Sequence, residues 1–433
     1  MASSAKVYSE GGRGWLIVFS ACLTQFILYG NLKATGVLLT NQTLEFETKL
    51  YAIGLINSLY YSMQSSLSPA PVALSYKVGV RIVVVVGGLM IGMGFLVVSQ
   101  TFSIYIFGLA MICLTGLGSA CVKETTFAEM ALYFHEKYAL ASFVAKLGAP
   151  FGMMLYGPLT QLLMDAVGWR GTCMLLGVFS LNIMGCGLLL RRSKSLSRPE
   201  NQALTVTVSS NGYESLDETR EEPRCCSDVI KQMGLDVFRN GRFIFLTLIK
   251  YFSGFGYSGF VIYMVPNALA LGLEPHEASF TTTAWGLGNL FGLCVTAFAI
   301  QKKAISEFAV LGISSAVAII CFALDPHISL FIGQIGVTLI VGAAMESVFL
   351  VPVIMTRYLA TDDRTVCFFY SWQNFITGLS YPFSGLVSGL MFDNTGSFKS
   401  TFLLFSATMT MTAICNVVYH IYTSRSKKKE LQS

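Results

Sequence analysis

Residues 14–39 read GWLIVFSACLTQFILYGNLKATGVLL, and this stretch decides the class of fold. It is longer than the roughly 20 apolar residues that a helix needs to cross the hydrocarbon core of a bilayer. Its one charged residue is Lys33, and placing a lysine at mid-bilayer costs roughly 2.5–3.5 kcal/mol on insertion scales. Such a lysine usually faces a polar cavity or a partner rather than lipid. The stretch therefore predicts a membrane-spanning helix beside a polar path.

Eleven further apolar runs follow, and the sequence predicts twelve spans in total. Spans 2 to 12 are predicted at residues 50–74, 82–100, 103–126, 138–164, 172–190, 243–266, 279–300, 306–324, 328–352, 366–391 and 401–422. The first apolar run is too long for the h-region of a cleaved signal peptide, so span 1 is expected to be its own insertion signal. The predicted fold class is an all-α membrane protein.

The composition argues against several other classes of protein. The 433 residues are 54% hydrophobic and 12% charged, whereas soluble domains carry about 25% charged residues. The 11 cysteines and four histidines show no metal-ligand spacing, so we expect no metal and no cofactor. No phosphate-binding Gly-x-x-x-x-Gly-Lys-Ser/Thr loop is present, which argues against an ATP-driven pump. No Ser/His/Asp set indicates an enzyme.

One long polar segment divides the chain. Residues 191–242 have a composition that cannot bury a core and predict a largely disordered linker on the cytoplasmic side. We therefore expect an N-lobe at residues 14–190, with spans 1 to 6, and a C-lobe at residues 243–422, with spans 7 to 12. Residues 1–13 are expected to form a short cytoplasmic segment and residues 423–433 a basic cytoplasmic tail.

A short internal repeat favours two related halves. Span 5 leads into Asp165-Ala166-Val167-Gly168, and span 11 leads into Asp393-Asn394-Thr395-Gly396. Each motif is followed by a polar turn and another apolar run. Two six-span halves related by an axis along the membrane normal are the plan of major facilitator transporters.

Basic residues outside the spans are distributed unevenly. With both termini in the cytoplasm, most of them lie inside, and only Lys49, Arg170 and Lys399 lie outside. This is the positive-inside asymmetry. It explains the net charge of +5 by topology, so we expect no nucleic-acid partner. The same orientation places the sequon that begins at Asn41 on the first external loop, as a candidate glycosylation site.

Several segments resemble the monocarboxylate transporter family of the major facilitator superfamily. Residues 10–15 (EGGRGW) resemble its first signature, and residues 133–141 (YFHEKYALA) with Gly148 resemble its second. Residues 79–81 (GVR) are similar to its loop between spans 2 and 3, and residues 389–398 (GLMFDNTGSF) to its last spans. The resemblance implies a twelve-span, two-lobe transporter that moves small organic solutes by alternating access. For some members it also implies a single-span glycoprotein chaperone.

The resemblance assigns a role to Lys33 and contains one departure. Lys33 falls where proton-coupled members carry a substrate-binding lysine in span 1. Those members also carry an aspartate and, four residues later, an arginine in span 8. Here these positions are Asn289 and Leu293, neither of which titrates. We therefore favour facilitated diffusion over proton symport, with Glu346 as the alternative proton-binding group.

Charges inside the spans occur only in helices that the resemblance implies to line or flank the cavity. Besides Lys33, they are Lys123, Glu124, Lys146, Lys250 and Glu346. We interpret them as gating or coupling charges, with Lys146 paired to Glu124 or Glu129 and Lys250 paired to Glu346. The alternative is a set of permanent structural pairs with no part in transport.

The remaining candidates each carry two interpretations. Lys33 attracts the anionic end of a substrate, or it snorkels toward the outer surface or forms a structural pair. Trp285 and Asn289 lie four residues apart on one helix face, where they hold a solute by stacking and hydrogen bonds or merely pack helices. Arg81 is expected to fasten the inner loop of the N-lobe as a gating residue.

These residues together predict transport of a small organic solute across the plasma membrane. The expected solute is a monocarboxylate or an amino-acid-like compound, moved by symport with a proton or by facilitated diffusion. The alternative function is a transporter-derived sensor or scaffold without net flux, which the altered residues of span 8 motivate.

Overall fold

The computed structural model describes residues 12–67, 69–134, 137–190, 238, 240–302, 305–359 and 363–430. All regular secondary structure in these ranges is helical, which confirms the predicted all-α fold class. Several predictions lie outside the described residues. These include the segment 1–11, most of the linker, and His135 and Glu136 of the second signature.

Each of the first six predicted spans has a helical counterpart. Span 1 is Gly12–Glu45, span 2 is Leu50–Ser66 continued by Pro69–Val78, and span 3 is Val80–Gln100. Span 4 comprises Ile104–Leu109, a π-helical stretch Ala110–Gly116 and Leu117–Tyr133. Spans 5 and 6 both lie within one long helix, Tyr138–Leu189.

That long helix makes two crossings of the membrane. At a rise of about 1.5 Å per residue it would extend to about 78 Å, far beyond a hydrocarbon core of about 30 Å. Gly168 has non-helical backbone angles (φ 70°, ψ 172°) and separates span 5 from span 6. Gly396, after span 11, has a φ of 65°. Both Asp-x-x-Gly motifs therefore end at a glycine in a conformation that other residues rarely adopt.

The second half of the chain supplies the remaining spans. Spans 7 to 12 are Gly241–Ala270, Pro275–Gln301, Glu307–Leu324, Phe331–Arg357, Asp363–Thr395 and Lys399–Glu430. In the described part of the chain, ten helices are long and apolar enough to cross a membrane. One of them contains both span 5 and span 6, and the interrupted helix of span 2 is not among the ten. Counting these two additions gives the twelve predicted spans.

The helices pack in two groups. In the first group span 1 lies against span 5, and a side chain at Gly148 or Gly152 would collide with the backbone of span 1. In the second group span 8 packs on span 10, while span 12 packs on spans 7 and 9. The groups meet where span 2 contacts span 11, span 5 contacts span 8, and span 1 contacts span 7.

Hydrogen bonds also join the two groups, and those made by Asp393 lie at one side of the molecule. We call the side where span 1 begins and span 12 ends the terminal face, and the other side the opposite face. At the opposite face the Asp393 carboxylate accepts from the backbone N–H groups of Leu50 (3.3 Å) and Tyr51 (3.0 Å). Thr283 Oγ1 of span 8 donates to the carbonyl of Met154 in span 5 at 2.8 Å. The two groups are therefore closed against each other at the opposite face.

The outer surface is rich in exposed apolar side chains. Phe151, Leu162, Phe291, Phe298 and Leu403 are all exposed. Soluble monomers rarely expose large contiguous apolar patches. This surface therefore fits contact with lipid.

The predicted end of span 1 is wrong. Its helix continues to Glu45, six residues past the predicted boundary. Asn41 consequently lies within the helix, with its Nδ2 at 3.8 Å from Met164 Sδ of span 5. The sequon is therefore not on an external loop as expected.

Candidate functional site

Lys33 lies where span 1 meets spans 7 and 8, and its side chain is only 1% exposed. Its Nζ is 3.2 Å from Met264 Sδ of span 7 and 4.5 Å from the ring centroid of Trp285 in span 8. Among the described residues, no carboxylate lies within 4 Å of this ammonium group. Lys33 therefore does not snorkel to the surface, and its side-chain nitrogen contacts a thioether and an aromatic face.

Neighbouring contacts fix the helix that carries Lys33. The Tyr61 hydroxyl of span 2 donates to the carbonyl of Leu32 at 2.7 Å. Asn31 Nδ2 donates to Ser180 Oγ of span 6 at 2.8 Å. One turn further on, Gly36 lets span 1 approach span 7, since a Cβ there would be 3.1 Å from the Val261 carbonyl. The position of Lys33 against the second lobe thus depends on a glycine.

Trp285 is fully buried and packs against aromatic side chains of span 7. Its ring centroid lies 5.1 Å from that of Phe260 and 5.7 Å from that of Tyr257. Its Nε1 is buried and has no hydrogen-bond partner among the described residues. An unpaired buried donor costs about 1–3 kcal/mol. Two donors, Lys33 Nζ and Trp285 Nε1, therefore lie in one small region without a strong acceptor.

Asn289 lies one turn beyond Trp285 but is engaged elsewhere. Its Nδ2 donates to the backbone carbonyl of Trp285 at 2.8 Å, and the residue packs against Gly342 of span 10. Helix packing is thus its role in this conformation. The structure brings together Lys33 and Trp285, and directs the Asn289 amide to its own helix.

A second group of polar residues lies between the lobes, and we call it the interlobe cluster. It comprises Tyr29, Lys123, Glu124, Lys146, Lys250, Tyr257, Glu346, Tyr370 and Tyr381. Within it, Lys123 Nζ lies 3.6 Å from Glu124 Oε1. Lys123 also interacts electrostatically with Tyr29 of span 1 and Tyr381 of span 11. Span 4 therefore presents its charges to both lobes.

The charges of the second lobe lie on spans 7 and 10. Lys250 Nζ donates to the Phe349 carbonyl at 2.8 Å and lies 4.6 Å from the Phe349 ring. Glu346, three residues earlier, interacts electrostatically with Lys250 and with Lys146 of span 5. The expected attraction between spans 7 and 10 is present, but the direct bond of Lys250 is to a backbone carbonyl.

The predicted partner of Lys146 differs from the one in the structure. In the described ranges Lys146 makes no ion pair with Glu124 or Glu129, since Glu124 pairs with Lys123. The Lys146 side chain is exposed and interacts with Glu346 of the other lobe. The reason is geometric, because Lys123 is adjacent to Glu124 in span 4 and is already within reach of its carboxylate.

The charged residues of the interlobe cluster have an excess of lysine. Lys123, Lys146 and Lys250 face two glutamates, Glu124 and Glu346, for a formal charge of +1 (three minus two). Lys33 lies nearby in the same interface and adds one more positive charge.

Sequence reasoning did not predict the four tyrosines of the interlobe cluster. Tyr29 and Tyr257 lie in spans 1 and 7, which the family resemblance implies to line the cavity, and that placement could have indicated them. Tyr370 and Tyr381 belong to span 11, where no charge marks them. Tyr370 is hydrogen-bonded to Asn374 and interacts with Lys123 and Glu124. The tyrosines thus place neutral hydroxyl groups among the charges of the interlobe cluster.

Arg81 lies apart from both groups. It is exposed in the first turn of span 3, two residues after Gly79, which has a φ of 101°. Its gating role stays a prediction.

Comparison with known proteins identifies the family. The model of the Major Facilitator Superfamily matches residues 21–349. The chain belongs to the Major Facilitator Superfamily. Monocarboxylate transporter 12 of Mus musculus is 24% identical over 416 residues, covering 94% of this chain and 85% of that protein. Monocarboxylate transporter 7 of Homo sapiens is 22% identical, covering 96% of this chain and 88% of that protein. The resemblance to monocarboxylate transporters is confirmed.

Solved structures share the fold. A bacterial homologue of the human lysosomal transporter Spinster, inward-facing and unoccupied, matches with a TM-score of 0.69 at 12% identity, covering 95% of this chain and 96% of that one. The nucleoside transporter NupG matches with a TM-score of 0.70 at 10% identity, covering 95% of this chain and 99% of that one. The predicted major facilitator fold is confirmed. This superfamily member is a multi-pass membrane transporter of a small solute rather than an enzyme, and the sensor alternative is not favoured.

Proposed function

We propose that this transporter carries a small carboxylate, either a monocarboxylate or an amino-acid-like compound, across the plasma membrane. The observation that carries the proposal is Lys33, a buried ammonium group with a thioether and an indole ring as its neighbours. A substrate carboxylate would give it a charge-assisted hydrogen bond of about 2.7–2.9 Å, which is stronger than either contact. Lys33 is therefore the proposed anchor for the anionic end of the solute.

Two further observations support an anionic solute. The interlobe cluster carries more lysines than glutamates, and such an excess raises the local concentration of anions. The relatives that align with nearly the whole chain are named monocarboxylate transporters. Trp285 is proposed to line the same site, and Asn289 to support Trp285 through its carbonyl.

Alternating access provides the route. We propose that the N-lobe and the C-lobe rock against each other around the site. The terminal face is proposed to be cytoplasmic, because Lys137, Lys302 and Arg357 lie on that side and basic residues favour the cytoplasm. In the described conformation the lobes are in contact at the opposite face, which is then the external face. The interlobe charges act as gates that re-pair between conformations.

Facilitated diffusion is the proposed mode of transport. Asn289 and Leu293 remove the titratable pair of span 8, and both residues are buried. Glu346, between Lys146 and Lys250, is the proposed site if a proton is carried after all. A single-span glycoprotein chaperone is a proposed partner for reaching the cell surface, as it is for some relatives.

The test is solute uptake into cells that express this chain. The panel is lactate, pyruvate, an aromatic amino acid, creatine and a thyroid hormone, at external pH 6 and 7.5. Lys33→Gln is expected to reduce the ratio of maximal rate to KM for the transported carboxylate at least tenfold. The reason is that a hydrogen bond to a charged group contributes about 1.5–3 kcal/mol, which corresponds to about tenfold or more in affinity.

Lys49→Gln is the matched control, because Lys49 is exposed at the opposite face. Surface expression is measured for each variant, with and without a co-expressed chaperone. Normal carboxylate uptake by the Lys33→Gln variant would remove Lys33 from the site. Uptake that is equal at both pH values supports facilitated diffusion. If uptake is stimulated by acid and this stimulation is lost in Glu346→Gln, the mode of transport is proton symport and not facilitated diffusion.

A further inference from the structure

Met264 lies where an anionic partner of Lys33 is expected. Its Sδ is 3.2 Å from Lys33 Nζ, and its side chain is 2% exposed. A thioether sulfur is a weak hydrogen-bond acceptor. We propose that Met264 is a specificity-determining residue of the transport site: its thioether covers Lys33 in the empty carrier and swings aside when the carboxylate of the substrate binds. This inference rests on the proposed function and assigns the residue that controls access to its anchor.

The side chain can move while its backbone stays in place. A methionine side chain is unbranched and flexible, and it adapts to irregular spaces. The residue before Met264 is anchored, because the side-chain hydroxyl of Tyr263 donates to the Gly385 carbonyl of span 11 at 2.7 Å. The close approach of Gly36 to Val261 further holds span 7 against span 1. Release of Lys33 therefore requires a change of side-chain rotamer and no movement of span 7.

Met264 is also the adaptable wall of the site. On its other side Lys33 faces the ring of Trp285, which is fully buried and packed against Phe260. A substrate carboxylate must therefore use the space that the thioether vacates. The size of residue 264 then limits the groups that neighbour the carboxylate of the solute. Small or unbranched carboxylates fit this space, and bulky α-substituents do not.

The first experiment compares the KM values for the transported carboxylate in two variants. Met264→Leu keeps the volume and removes the sulfur, so the apparent KM is expected to fall about threefold, since a weak acceptor no longer competes for Lys33. Met264→Gln supplies a stronger acceptor of similar length, so the KM is expected to rise about tenfold. Both changes are expected to disappear in a Lys33→Gln background, because Met264 acts through Lys33.

Met409→Leu is the matched control, because Met409 is fully buried in span 12 and packs next to Gly256 within the C-lobe. Its KM is expected to equal that of the unsubstituted transporter. Met264→Ala provides a further test, since the enlarged space should admit carboxylates with a bulkier α-substituent. Equal KM values and equal size limits in the Met264 variants and the control would overturn the proposal.

A second readout does not depend on transport. A Lys33→Cys variant is treated with a methanethiosulfonate reagent, and modification of residue 33 is followed by mass spectrometry of the span 1 peptide. Adding Met264→Ala is expected to accelerate the modification at least tenfold, because the covering side chain is removed. If modification is faster but the unsubstituted transporter takes up no carboxylate, Met264 covers residue 33 as proposed and the proposed substrate class is refuted. An unchanged rate alongside robust uptake would refute the cover alone.

Discussion

Lys33 is buried, and its side-chain nitrogen contacts the thioether of Met264 and the ring of Trp285. A cation–π contact contributes about 2 kcal/mol when it is desolvated, which is less than the several kcal/mol that burying a charge costs. The contacts with Met264 and Trp285 alone therefore do not offset the cost of burying a charged lysine. A substrate carboxylate would supply the missing interaction, which is why we propose that Lys33 selects for anions.

The indole N–H of Trp285 offers a prediction of its own. It is buried and has no partner among the described residues. Trp285→Phe keeps an aromatic face for Lys33 and removes this donor. If the N–H donates to the substrate, KM should rise about fivefold, because a typical hydrogen bond contributes about 1 kcal/mol. Trp285→Leu should raise KM further, since the cation–π contact is lost as well. Uptake kinetics measure both.

Trp372→Phe serves as the control, since Trp372 contacts Phe238 and Phe375 away from Lys33. Its KM is expected to remain unchanged. A Trp285→Phe variant with the same KM as the unsubstituted transporter would show that the indole N–H does not reach the solute.

Single residues of the site were predictable, but their contact was not. The cost of a charge within a span identified Lys33, and a polar stripe in span 8 identified Trp285. Met264 carries no polar or charged signal and lies 231 positions from Lys33 in the chain. Its role depends on how spans 1 and 7 meet across the lobe interface, which a hydropathy pattern does not contain.

Among the helices, span 2 and span 11 form the bridge between the lobes at the opposite face. The Asp393 carboxylate at the end of span 11 accepts from the first two N–H groups of span 2. A carboxylate at a helix N-terminus is stabilising by about 0.3–1 kcal/mol. The homologous Asp165 instead accepts from Gln161 of its own helix at 2.8 Å. The internal repeat thus supplies one interlobe contact and one local contact.

Removing the charge of Asp393 should open the opposite face. Asp393→Asn is expected to raise the population of the conformation open at this face about threefold to fivefold, because about 1 kcal/mol of closure is lost. The measurement is modification of a Ser58→Cys reporter by a membrane-impermeant thiol reagent. Ser58 is buried beside Gly385 in the closed face.

Asp165→Asn is the matched control and should leave the reporter unchanged. Gly389→Ala is an independent variant, since its Cβ would collide with Tyr51 of span 2 and force the lobes apart. Gly152→Ala has its collision within one lobe, against Phe26, and should lower the yield of folded protein instead. A reporter that reacts equally in Asp393→Asn and Asp165→Asn would contradict the role of the bridge.

Helix existence was predictable from hydropathy, and helix ends were less so. Span 1 extends to Glu45, and the side chain of this last residue contacts Arg170 of span 6. Arg170 Nη2 lies 3.0 Å from Glu45 Oε1, while Arg170 Nη1 donates to the Thr101 carbonyl at 2.8 Å. The end of this helix thus coincides with a contact between distant segments, which the apolar pattern does not contain.

At the scale of the whole molecule, the two candidate transport modes differ in the net charge that crosses the membrane in each cycle. Facilitated diffusion of a carboxylate moves one negative charge per cycle, which is coupled to the membrane potential by about 2.3 kcal/mol per 100 mV. The steady-state ratio of solute should then change about tenfold for every 60 mV. Symport with a proton is electroneutral, and its ratio should follow the pH gradient instead.

Proteoliposomes with a potassium-diffusion potential provide the measurement. Accumulation of labelled carboxylate is followed at equal internal and external pH and at several potentials. Vesicles with the Lys33→Gln variant control for leakage. A solute ratio that is independent of potential at constant pH would contradict facilitated diffusion of an anion.

The overall architecture could be read from the sequence because lipid imposes strong rules on it. The twelve spans followed from apolar length, and the division into halves from the polar linker and the Asp-x-x-Gly repeat. The conformational state, closed at the opposite face, could not be predicted. It depends on small differences between lobe contacts such as those of Asp393, Thr283 and Gly389, and both states must satisfy the same sequence.

The position of an ammonium group 4.5 Å from the Trp285 ring also has an optical consequence. Indole fluorescence responds to the electric field of nearby charges, so the emission of Trp285 depends on whether an anion neutralises Lys33. The chain has four tryptophans, and replacing Trp15, Trp169 and Trp372 would leave Trp285 as the only indole, whose emission can be excited selectively over that of the tyrosines. If the solute binds at Lys33 as proposed, the emission of Trp285 would report occupancy without a dye or a radioactive solute.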